Sequence, residues 1–211
     1  RITPKARPAA LVRGRTAASG ENFELAVAPR GQGRTLRLTA ENGGALLRAF
    51  DATEAIEGGR LSVTGAWENN TAGTPLVGMA EMETFTLRRA PAMGKVLQAM
   101  TLYGLVDALQ GGSGLNFARM TVPFSLTEDV LAVMGARAIS SSLGVTARGR
   151  SLRGVDVLDI EGTIVPAYLF NQMLGNLPVL GRLFSPEPGG GVFATSFRAQ
   201  GPAADPQVLV N

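Results

Sequence analysis

Apolar residues recur at every second position through much of this sequence, and that period dictates strands. Phe23, Leu25 and Val27 alternate with Glu24, Ala26 and Ala28, and Leu36 and Leu38 alternate with Arg37 and Thr39. Leu61, Val63 and Trp67 share one parity against Ser62 and Thr64. Met120, Val122, Phe124 and Leu126 alternate with Arg119, Thr121, Pro123 and Ser125, and Leu158, Ile160 and Ile164 alternate with Asp159, Glu161 and Thr163. Successive side chains of a strand point to opposite faces, so each run gives one apolar and one polar face. Gly, Asn, Asp and Pro separate the runs, as tight turns require. The pairs Gly58-Gly59 and Gly111-Gly112 fit such turns. Pro123 cannot donate to a ladder, so its strand is expected at an edge or with a bulge there.

Three stretches break the alternation with helical spacing. The first, 43–52, has Asn42 as a candidate cap and Leu46, Leu47 and Phe50 on one face. The second starts at Pro91, a favoured first helical position, and carries Met93, Val96, Leu97, Met100, Leu102, Tyr103, Val106 and Leu109. Gly104 weakens its middle. The third, 166–184, has Arg182 as its single charge. Its length approaches a membrane span, but Gly175, Asn176, Pro178 and Gly181 argue against a straight transmembrane helix. It reads either as a helix covering a sheet face or as an interfacial segment.

The composition closes off much of enzymology. The 211 residues include no cysteine and no histidine. This removes disulfides, thiolate nucleophiles, the usual general base and the commonest transition-metal ligands. No phosphate-loop or dinucleotide fingerprint occurs; the Gly-rich stretches 110–114 and 189–191 read as turns. Glu81 with Glu83, and Asp159 with Glu161, share strand faces, where solvated acids belong. Lys95 sits in an apolar helical stretch beside no nucleophile motif. No cofactor and no metal site is expected, and the chain is read as non-enzymatic. The formal charge is +3, but residues 1–15 hold Arg1, Lys5, Arg7, Arg13 and Arg15 with no acid, leaving 15 basic against 17 acidic residues elsewhere. That terminal run reads as a solvated edge strand or linker, or as a contact for anionic head groups. Nucleic-acid binding is not expected, since basic residues are not interleaved with aromatics through the fold.

Several segments in order resemble the C-terminal region of the AsmA-like family, the envelope proteins that include bridge-like lipid transporters of Gram-negative bacteria. LRLTAENGGALLRAFDATEAIEGGRLSVTGAW (36–67) resembles its strand–helix–Gly-Gly–strand unit. FTLRRAPAMGKVLQAMTLYGLVDALQGGSGLNFARMTVPF (85–124) resembles its strand ending in Ala-Pro, helix and next strand, and SLGVTARGRSL (142–152) a further strand. The most specific likeness is EGTIVPAYLFNQMLGNLPVLGRLF (161–184) followed by GGGVFATSFRAQGPAADPQVLVN (189–211).

The resemblance implies a periplasmic segment, 1–211 as one region of a longer protein tethered to the inner membrane by a part outside this sequence. Its expected fold is mainly β with helical segments (α+β): a curved antiparallel sheet forming a groove, partly closed by two or three short helices. The implied role is shielding or conducting phospholipid between inner and outer membranes in envelope biogenesis, with acyl chains, a membrane surface or an envelope protein as partners. Met120, Val122, Phe124, Leu158, Ile160 and Ile164 are the expected groove lining. Phe170, Met173, Leu174, Leu177, Leu180 and Phe184 are the expected groove-closing or membrane-proximal residues. The competing reading is a partner-docking module that caps a longer groove, in which the same residues are plain core.

Overall fold

A computed structural model describes residues 10–17, 19–88, 114–166 and 194–211. The second helical stretch lies outside them, as does the third beyond Pro166, which ends a strand instead, including Phe170, Met173, Leu174, Leu177, Leu180 and Phe184; so do Lys95 and the Gly-rich stretches apart from Gly114.

Among the described residues eleven strands form one antiparallel sheet in which spatial order equals chain order. They are β1 (Ala10–Arg15), β2 (Asn22–Arg30), β3 (Gly33–Ala40), β4 (Ile56–Trp67), β5 (Leu76–Leu87), β6 (Leu115–Leu126), β7 (Val130–Ser140), β8 (Leu143–Leu152), β9 (Val157–Pro166), β10 (Thr195–Pro202) and β11 (Gln207–Val210). β1 and β11 do not pair, so the sheet is curved but unclosed. The described residues contain one helix, α1 (Gly43–Ala49), packed on β4.

The meander sorts its connections. β2–β3, β4–β5, β6–β7, β8–β9 and β10–β11 turn at one end of the sheet through short segments. The connection carrying α1, and the long ones from β5 to β6 and β9 to β10, all leave from the other end.

The predicted alternation holds with instructive exceptions. Pro123 sits in β6, a central strand; the β6–β7 register shifts between Thr121 and Phe124, which is the bulge a mid-sheet proline demands. Gly58-Gly59 is not a turn but lies inside β4. Gly58, Gly59 and Thr84 adopt φ of 67°, 80° and 54°, and the pairing passes from Gly58–Phe85 to Arg60–Glu83, skipping Gly59 and Thr84. This kink shifts the parity of the strands. Met82 and Phe85, three residues apart, therefore bury in one cluster, and Phe117 joins it with Met120. In α1, Asn42 caps as expected, its Oδ1 accepting from the Ala45 N–H at 2.9 Å. Leu46 is buried, but Phe50, expected beside it, is 65% exposed. The helix stops at Ala49, and Phe50 becomes its C-terminal cap with its side chain off the buried face.

The core lies on one face, toward the end with the long connections. Met82, Phe85, Leu115, Phe117, Leu143, Val145, Ile164 and Phe197 form its main cluster, with the Phe85 and Phe117 rings stacked at 5.3 Å. A second cluster, Ala40, Leu46 and Leu61, forms where α1 covers β3 and β4.

Candidate functional site

The register assigns every strand residue to a face. One row crosses the sheet as Leu25, Leu38, Val63, Ala80 and Val122. The next runs Val27, Leu36, Gly65, Gly78, Phe124, Val133, Gly149, Ile160, Ala199 and Val208. Apart from Arg34, every charged residue of the described strands lies on the opposite face.

That opposite face is stitched by cross-strand ion pairs: Arg13–Glu24 at 2.7 Å, Arg119–Glu83 at 2.5 Å, Arg148–Glu161 at 2.7 Å and Arg198–Asp159 at 3.1 Å. Arg88, just past β5, reaches Glu57 at 2.9 Å. The acids that share a face in sequence thus each take an arginine on an adjacent strand, except Glu81, for which no ion pair is found among the described residues. The hydrogen bond from Arg198, reinforced by one from Gln200, holds the Asp159 carboxyl below its usual range. Such exposed pairs fix register more than they add stability.

The apolar face is shaped by glycines opposite aromatics. Phe23 pairs with Gly14, Phe124 with Gly78 and Phe197 with Gly162. A Cβ at these glycines would meet the partner ring at 2.7, 3.0 and 2.7 Å. Each ring therefore lies down across its neighbour strand, which keeps the face shallow and backs the glycine with packing.

All six predicted lining residues fall on this face. Ile164 (0% exposed) and Phe124 (6%) are sealed into packing. Met120, Val122, Leu158 and Ile160 are half-buried, as are Leu25, Val27, Leu36, Leu38 and Val63. Among the described residues no second sheet covers them, and the strands contact chiefly their neighbours in order. What the sequence reading passed over is Arg34. Its guanidinium carbon stands 4.7 Å from the centroid of the Trp67 ring, and the two residues are register partners on the apolar face.

Other features offer less. An open depression of about 490 Å³ at β1–β3 is lined by Arg13, Arg15, Asn22, Glu24, Glu41 and Arg60 among others. Gly14, Phe23 and Ala40 also line it, Arg13 is spent on Glu24 and Arg15 donates to Asn22. Among the described residues no acidic cluster could hold a metal ion, and no helix is long and apolar enough to cross a membrane. The Asn69-Asn70-Thr71 sequence is used structurally: Asn69 Oδ1 accepts from the Thr71 N–H and Thr74 Oγ1, and Asn70 donates to the Gln32 carbonyl at 2.7 Å.

No family model matches the chain, and no curated protein or solved structure matches it either.

Proposed function

We propose that this chain is a non-enzymatic, AsmA-like segment of an envelope protein that shields or conducts phospholipid acyl chains along a groove in its curved sheet. One observation carries the reading. The eleven described strands place all their charge but Arg34 on one side, and among the described residues the apolar side has half-buried side chains with no second sheet over them. A β-sheet ordinarily buries its apolar face against another layer. A large apolar surface left without one marks a site for a partner, a ligand or a membrane. Acyl chains fit such a surface because they need contact area and no directional bonds. The periplasmic setting and inner-membrane tether follow from the resemblance and belong to the same proposal.

A second reading has its own support. The edges β1 and β11, unpaired among the described residues, expose Leu11, Val12 and Leu209, and an open edge can accept a strand from a partner. On that reading the module docks an envelope protein and binds no lipid.

Solvent extraction and mass spectrometry of the protein purified from a bacterium separates the two. Stoichiometric phospholipid, lost in Val63→Asp and Val122→Asp variants that keep wild-type circular dichroism, supports the groove. Lipid-free protein, or lipid retained in both variants, rejects it.

A further inference from the structure

The charge pattern has a single exception, and it stands in a defined place. Arg34 is the one charged residue on the apolar face of the described strands, two residues from Leu36 and four from Leu38 along β3. An arginine on an apolar face usually finds a carboxylate or a carbonyl. This one finds neither: its Nε is shielded from water without a hydrogen-bond partner, and no ion pair to it is found among the described residues. Its contact is with the Trp67 ring, which orients the guanidinium plane without using its donors.

The support beneath the pair is fixed. Arg34 follows the tight β2–β3 turn, whose Gln32 carbonyl is held by Asn70 from the β4–β5 connection. Gly33 packs so closely on that connection that a Cβ there would lie 1.9 Å from the Trp67 carbonyl oxygen. Arg34 as a whole is half-buried rather than sealed, and of its nitrogens Nε is the one shielded from water without a partner.

We infer that Arg34 and Trp67 form a head-group station, at which the phosphate of a phospholipid is held while its acyl chains lie on the apolar rows beyond. The inference rests on the lipid reading above and names the chemical class it takes. A guanidinium fork matches phosphate oxygens, and an indole beside it suits the boundary between polar head and apolar tail. The distances agree. From Arg34 to Ala40, where α1 begins to cover the face, the strand runs roughly 20 Å. That exceeds the roughly 15 Å of hydrocarbon that one leaflet of a bilayer contributes.

Trp67 is the only tryptophan in the chain, so its emission reports on this spot alone. The test titrates the purified chain, in non-ionic detergent, with phosphatidylglycerol bearing brominated acyl chains, with diacylglycerol bearing the same chains, and with inorganic phosphate. Wild type is expected to be quenched by the phospholipid at about tenfold lower concentration than by diacylglycerol, the worth of one charge-assisted hydrogen bond. Arg34→Gln is expected to bring the phospholipid down to the diacylglycerol level while leaving diacylglycerol quenching unchanged, which also shows the variant is folded. Equal quenching of wild type by both lipids overturns the station but leaves the lipid reading standing. No quenching by either lipid removes the lipid reading and the station with it. Displacement of bound phospholipid by inorganic phosphate at comparable concentration makes Arg34 a free-anion site and overturns the inference.

Discussion

Gly162 tests whether the sheet is as tightly drawn as its register implies. It lies in β9 between Ala147 of β8 and Phe197 of β10. A Cβ built on it would lie 2.0 Å from the Thr146 carbonyl oxygen and 2.7 Å from the Phe197 ring. Rotation of the ring offers no relief, because Phe197 is itself part of the main core cluster, and the carbonyl belongs to a neighbouring strand and cannot rotate at all. Gly162→Ala must therefore push β8 and β9 apart or twist the backbone locally. Overpacking of this kind costs about 1–3 kcal/mol, and sometimes more. For a chain of this size that lowers the thermal midpoint by roughly 2–4 °C per kcal/mol. Gly154, in the β8–β9 turn, is the control: nothing lies within 4 Å of its Cβ position, and its φ is not in the left-handed region. Urea denaturation of both variants beside wild type reads the difference. Gly154→Ala is expected to stay within about 0.5 kcal/mol of wild type. If Gly162→Ala matches it, the close packing of β8, β9 and β10 deduced from the register is wrong.

Met82 is 0% exposed at the centre of the core, so Met82→Ala should cost about 2–5 kcal/mol in the same assay, whereas Leu209→Ala, at a side chain 65% exposed on the edge strand, should be nearly silent. Asn42→Ala should remove about 1 kcal/mol by leaving the Ala45 N–H without its cap, and Asn42→Gly should cost only a few tenths. The Arg198 hydrogen bond holds the Asp159 carboxyl below the usual carboxylate range in the folded state. Its contribution is therefore present above the unfolded pKa and lost as pH falls through the folded one. The stability gap between wild type and Asp159→Asn, small because the pair is exposed, should shrink on acidification across that window, and a gap that widens would reverse the assignment.

The strands legible in sequence were those whose inward positions carry large aliphatics, as in β2, β3, β6 and β9. β5 hides its face: Val77 and Met79 point outward and are exposed, while Gly78 and Ala80 point inward, so hydrophobicity alone votes for the wrong side. β7 is apolar nearly throughout, and only pairing shows that Met134 and Ile139 face out. Gly58-Gly59 imitates a turn because positive φ serves turns and bulges alike; the pairing of Ile56 with Leu87 across the kink decides between them. Pro123 was readable since a missing donor has few remedies inside a sheet. Arg34 was not, because it lies one step before the Leu36–Leu38 alternation becomes visible, and its meaning depends on Trp67, 33 residues away in sequence and adjacent only through the β3–β4 register.

On the proposed function, one face of this sheet meets acyl chains and the other meets water. A photo-crosslinking amino acid placed at Leu38, on the apolar face, and at Arg37, on the charged face, tests it directly in living cells, with lipid adducts read by mass spectrometry of the purified protein. The account predicts phospholipid adducts from position 38 and none from position 37. Equal labelling at both positions, or adducts from 37 alone, would contradict it.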